Sequence, residues 1–322
     1  MHEKTLHNTA YPKSKKLWLT VLKITFSIFF IFFLINYVEY DKVVTILGKA
    51  NILYILIVII LMATNIYYQF KKWELLVNNL IKEKSKKKIL VSLFHGFAAG
   101  ITTPVRSGEY FGRAIIFKEK PLSQIIIATA IEKFIMMILV VFVGSIISLL
   151  YLVTIGIATY LIIIIAVIAI ILFALFAQIL NSPGSWKKII PHRIRKFKFV
   201  EDIMEKLQFL KNVNKKLIIK LVIFTVAAYF IYILQFGILL LSFSSEGNLI
   251  NALWCGSLVM FVKTIIPAVG IGDLGIREGA AVFFSPALGF TEAAALNAAL
   301  GLFFVNLFLP SVVGFILSFR KY

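Results

Sequence analysis

The sequence is poor in the residues that carry most soluble-protein chemistry. It has one cysteine, Cys255, which excludes an internal disulfide and a cysteine-based metal site. Its four histidines, His2, His7, His95 and His192, are scattered without paired ligand spacing. There is no H-E-x-x-H zinc signature, no G-x-S-x-G elbow and no Walker A loop. Ser185 and Lys188 match S-x-x-K by spacing alone, in a basic stretch and without partner motifs. Charge is scarce too, at 15% of 322 residues, while 60% are hydrophobic. A single water-soluble core has too little interior to hide that much apolar surface, so the bilayer is the natural solvent.

What charge there is has one dominant sign. Thirty-four Lys and Arg against fifteen Asp and Glu give a net +19. The lysines gather at 13–16, 82–88 and 187–216, each cluster flanking an apolar run. Cytoplasmic loops of membrane proteins are built this way, and anionic lipid accounts for the attraction. No nucleic-acid motif accompanies the clusters, so no nucleic-acid partner is expected.

The predicted fold is all-α: a polytopic membrane helix bundle with about six full spans plus two re-entrant broken helices. Residues 1–17 form a cytoplasmic leader, and 18–38 reads as a retained first span rather than a cleaved signal. Further spans are expected at 52–70, 123–150, 157–180, 217–241 and 291–317, each long enough to cross the hydrocarbon. Residues 18–180 then form a first half and 217–322 a second. Between them, 181–216 is a basic loop whose Val200, Ile203, Met204, Leu207, Leu210 and Val213 recur at helical spacing, as in a surface-lying amphipathic helix.

Two apolar pieces are short and broken. Residues 89–103 run into Pro104, Arg106, Gly108 and Glu109; residues 252–266 run into Pro267, Gly272 and Asp273. Irregular backbone at membrane depth survives only when buried in protein or facing water. Re-entrant segments at 89–117 and 252–290 put the basic stretches, including 71–88 and 187–216, and both termini on the cytoplasmic side of a cell membrane. Full crossings would put 187–216 outside, against the positive-inside rule. The first hairpin then enters from inside and the second from outside, the pattern of an inverted repeat. In both, an acid precedes an arginine by four residues, Glu109 before Arg113 and Asp273 before Arg277.

Charges inside apolar segments cost roughly 3 kcal/mol each on insertion scales, so they need partners or a wet cavity. Substrate-binding candidates are Arg106, Glu109, Arg113, Glu132, Lys263, Asp273, Arg277 and Glu278, with no catalytic or metal-binding set among them. Lys263 also suits snorkelling, and Glu292 follows Thr291 at a helix start, where an acid complements the dipole. Guanidinium forks match phosphate oxygens, and helix starts at the two breaks favour an anion. Phosphate-bearing head groups are the chemistry that fits. The small-xxx-small glycines Gly96/Gly100, Gly108/Gly112 and Gly275/Gly279 suit close helix packing.

Three stretches together resemble one family. Thr-Pro-Val-Arg-Ser-Gly-Glu at 103–109 followed by Arg113, Ile-Glu-Lys-Phe at 131–134 and Gly-Asp-Leu-Gly-Ile-Arg-Glu-Gly at 272–279 are similar to signatures of the flippase-like transmembrane domain of lysylphosphatidylglycerol synthases. The resemblance implies outward movement of aminoacylated phospholipid, which confers resistance to cationic antimicrobial peptides. Larger members add a soluble aminoacyl-transferase domain; this chain ends at Tyr322, just after the last span, so lysyltransferase activity is not expected. Ala268-Val269 and Lys133 depart from the family pattern of glycine and arginine, which leaves the lipid open among phospholipids, polyprenyl-phosphate carriers and hopanoid-type lipids. A small-solute or ion-coupled transporter and a membrane-embedded lipid-modifying enzyme remain alternatives. No cofactor is expected, and homo-oligomerisation is left open.

Overall fold

The computed structural model describes residues 39–103, 106–156, 215–244, 247–266 and 274–320, with scattered positions between 32 and 37 and between 160 and 174. Among them there is no strand. Most of the expected spans at 18–38 and 157–180, the amphipathic pattern at 200–213, and Pro104, Pro267, Gly272 and Asp273 lie outside the described residues.

The described chain forms ten helices: α1 (Tyr40–Gly48), α2 (Ile52–Leu76), α3 (Lys86–Ile101), α4 (Gly108–Gly112), α5 (Leu122–Thr154), α6 (Lys215–Ser242), α7 (Leu249–Ile265), α8 (Ile276–Phe284), α9 (Glu292–Phe303) and α10 (Leu309–Ser318). Wider π turns extend two of them, at Val77–Ile81 after α2 and at Phe304–Phe308 between α9 and α10. Four continuous segments are long and apolar enough to cross a membrane: Ile52–Ile81, Leu122–Thr154, Lys215–Ser242 and Glu292–Ser318. The chain is therefore an integral membrane helix bundle.

Polar side chains set the helix starts. Asn51, Ser85, Asn248 and Thr291 each accept a backbone N–H from the first turn that follows. In the turn before α3, the Glu83 carboxylate accepts the backbone N–H groups of Ser85 and Lys84, both at 3.0 Å. The Ser85 bond chiefly holds that carboxyl below the usual carboxylate range.

One expectation changes here. Residues 71–81 are not a loop: α2 and its π turn run on to Ile81 and bury Lys72, Trp73 and Glu74. The basic run that suggested a water-facing loop instead lends a lysine to the interior. Residues 39–49, between the spans expected at 18–38 and 52–70, contain α1, whose Val43 carbonyl accepts Asn297 Nδ2 at 2.9 Å.

Both broken segments fold as antiparallel hairpins. Thr103 Oγ1 donates to Ala99 O and accepts the Gly108 N–H at 2.6 Å, which turns the chain back at the end of α3. A Cβ on Gly108 would lie 2.1 Å from Ala99 O, so only glycine allows α4 to approach α3 this closely. Farther along, Ser92 Oγ donates to Arg113 O at 2.7 Å. In the second hairpin α8 returns beside α7, and Asn251 Nδ2 donates to Leu288 O at 3.1 Å. The membrane-length helices enclose the pair: α2 runs antiparallel to α6, while α10 packs on α3 with Ser311 Oγ donating to Phe97 O. Ala294, Ala295, Ala298 and Ala299 of α9 are buried in the main apolar cluster, as small residues at a membrane helix interface should be.

Candidate functional site: a charged cavity between two hairpins

The return of α4 along α3 sets Glu109 and Arg113 one turn apart on one face. They pair at 2.6 Å, as their spacing requires. Arg113 also reaches Glu132 of α5 at 2.5 Å and lies over the Trp73 ring at 4.4 Å. Room for its stem comes from Gly96, where a Cβ would sit 2.7 Å from Arg113 Cγ. Its guanidinium is wholly buried, with both carboxylates and an aromatic face around it. Such a group persists only because its charge is matched on two sides.

Glu109 is shared more widely. Its Oε1 also meets Lys133 Nζ at 2.8 Å, and its Oε2 meets Arg106 Nη2 at 3.1 Å. Glu132 Oε1 lies 3.3 Å from Lys72 Nζ. Two carboxylates thus serve four cations drawn from α2, the first hairpin and α5. Arg106 sits at the turn of that hairpin with φ 53°, a left-handed conformation that a non-glycine residue rarely adopts. Its buried Nε has no hydrogen-bond partner among the described residues.

The second hairpin is simpler. Arg277 pairs with its neighbour Glu278 and stacks over Phe303 at 5.5 Å. The other oxygen of Glu278 accepts the Gly275 N–H at 2.7 Å, so the acid also caps α8. Asp273, which the spacing places on one face with Arg277, lies outside the described residues; among those described, the acid that meets Arg277 is Glu278. Lys263, near the end of α7, lies over the Tyr232 ring at 5.6 Å.

Both hairpins border one cavity of ≈320 Å³. Arg106, Glu109, Glu132, Lys263 and Arg277 line it, together with Lys72 and Lys133. Arg113 and Glu278 stand behind the wall and hold lining residues in place. Five lining cations face two carboxylates, an excess of three positive charges among the described residues. Asn65 and Gln69 of α2, Tyr232 of α6 and Asn306 in the second π turn add polar groups, while Met136, Met137 and Met260 supply apolar wall. Such an arrangement can retain an anion next to a short apolar stem.

Sequence reasoning did not select Lys72, Lys133, Asn65, Gln69 or Asn306 as site residues. For α2 a signal existed: positions 65, 69 and 72 lie at helical spacing and form one polar stripe on an apolar helix. Among the described residues, no group of His, Cys, Asp and Glu has the geometry of a metal site.

Comparison with known families gives a match over residues 20–314 to the model described as the lysylphosphatidylglycerol synthase TM region. No curated protein matches the sequence.

Proposed function

We propose that this chain, which belongs to the lysylphosphatidylglycerol synthase TM-region family, is a flippase or transporter that holds a phosphate-bearing lipid head group in the cavity between its hairpins. One observation carries the reading: an intramembrane cavity, bordered by both hairpins, has three more cations than carboxylates among its described lining residues. Buried positive charge is costly, so a chamber rich in cations favours an anionic occupant.

Arg106 and Lys133 are the groups that meet the phosphate. Both border the cavity and retain some exposure, while Arg113 has none. In the empty protein Glu109 neutralises them; a phosphate oxygen takes over as their partner, and Arg113 keeps Glu109 from swinging away. The left-handed backbone at Arg106 fits this role, since strained conformations persist where a site needs a particular aim. The ammonium of an aminoacylated head group would find Glu109 and Glu132 on the same wall. Acyl chains would leave between helices into the bilayer. The role is transport rather than catalysis.

In this reading the hairpins are re-entrant and related as an inverted repeat, both termini face the cytoplasm, and the membrane is the cell membrane. Two opposed hairpins rocking about one chamber would expose it alternately to the two sides.

The test is translocation of fluorescent phosphatidylglycerol in proteoliposomes, read by quenching of the outer leaflet. The double variant Arg106→Ala/Lys133→Ala removes two charge-assisted contacts, each worth about 1.5–3 kcal/mol. Translocation should fall at least about tenfold. Equal rates in wild type and variant would reject the role. Uptake of soluble glycerol phosphate by wild type, without lipid movement, would favour a solute transporter instead.

A further inference from the structure

A second cavity, of ≈820 Å³, lies at the other end of the same helix pair. Lys49, Asn51, Tyr54, Ser244 and Thr291 border it. Both chambers are walled by α2 and α6: Asn65 and Tyr232 border the charged one, Tyr54 and Ser242 the other. From Tyr54 to Asn65 is roughly 16 Å of helix at about 1.5 Å per residue.

That interval is not uniformly apolar. Gln69 Nε2 donates to Asn65 Oδ1 at 2.6 Å, Asn65 Nδ2 donates to Gln235 Oε1 at 3.5 Å, and Gln235 Nε2 donates to Val58 O at 3.4 Å. Val58 is one turn from Tyr54, so the amides run from the charged cavity almost to the second chamber. Gln235 and Asn65 are buried, with 0% and 3% exposure. Amides acting only as interhelical glue should settle into short bonds. The two contacts of Gln235 instead lie at the outer limit of hydrogen-bond length, so the amide is held loosely where an apolar side chain would pack without polar cost.

We propose that Gln69, Asn65 and Gln235 form a polar track along which a phosphate head group passes between the charged cavity and the chamber at Asn51 and Thr291. The proposal rests on the head-group reading of the first cavity and adds a route out of it. Neutral amides suit a route better than cations do. They donate to phosphate oxygens and accept from an ammonium, yet carry no charge that would trap either. Gln235, anchored on a helix facing both chambers, is the middle step.

The test uses the full chain with fluorescent phosphatidylglycerol as the probe. Asn65→Leu and Gln235→Leu should each lower translocation in proteoliposomes at least about tenfold, a barrier of about 1.4 kcal/mol or more. For Gln235→Leu, at a position that borders neither cavity, binding of the same lipid in detergent, read by native mass spectrometry, should change less than about twofold, a difference of under roughly 0.5 kcal/mol. Translocation at the wild-type rate in both variants overturns the track. A second measurement covers variants that fold poorly and a wild type that does not bind the lipid. In a Cys255→Ala background, Gln235→Cys should react with a small charged methanethiosulfonate, because a track must admit polar groups. A cysteine there that stays unmodified overturns the track, whatever the first cavity binds. Failure of wild type to bind the lipid, with a reactive cysteine, sinks the head-group reading and leaves the polar route standing.

Discussion

The two hairpins have similar folds and arginine-bearing motifs, yet they balance their charge differently. In the first, Arg113 draws one carboxylate from its own helix turn and a second from α5, and those acids are shared with Arg106, Lys133 and Lys72. In the second, Arg277 is matched by its neighbour Glu278, whose other oxygen is tied to the backbone at Gly275. Among the described residues, the first arrangement draws its acids from two elements, whereas the acid of the second comes from the same turn as its arginine. A shared network loses several contacts when one member is removed, whereas a neighbouring pair loses chiefly its own.

Removing the central arginine of each hairpin breaks this contrast most directly. Arg113→Met strips two buried carboxylates of their shared cation and should destabilise the fold by about 3–5 kcal/mol. Thermal unfolding in detergent reads this, and a loss no larger than that of Arg277→Met would remove the distinction. Arg277→Met leaves Glu278 its backbone partner, so its cost should be smaller, about 1–3 kcal/mol. The smallest effect sharpens the local side of the comparison. Gly275 has φ 101°, so Gly275→Ala should cost about 1–2 kcal/mol through strain. Its unfolding temperature should drop modestly while lipid binding at the first hairpin stays intact; a matching loss of binding would show that the second hairpin is not autonomous.

Much of this architecture was legible in the residues. The long apolar runs at 123–150, 217–241 and 291–317 coincide closely with α5, α6 and the α9–α10 segment, because continuous apolar sequence of that length has few other uses. The three motifs marked the family, since their order and spacing are specific together. Glu109 and Arg113 pair as helical spacing requires. Lys72 was hidden because it follows an apolar window and opens a basic run, the usual mark of a water-facing loop. Only the continuation of α2 to Ile81 shows that its side chain turns inward. Asn65, Gln69 and Gln235 were overlooked for another reason: neutral amides scarcely lower the hydropathy of a long apolar segment. Asn306 sits in a π turn, whose extra residue per turn shifts a side chain off the face that a regular helix would give it. The Arg277–Glu278 pair was hidden because it depends on a cap, which sequence periodicity does not encode.

Helix α5 touches both hairpins at separate points. Glu132 grips Arg113 of the first, and a dozen residues on, Gly144 admits the ring of Phe261 from the second, where any Cβ would lie 2.2 Å from that ring. One helix thus carries a contact to each hairpin, about three turns apart. A bulkier residue at Gly144 would press Phe261 of the second hairpin away from α5 without touching a single charge.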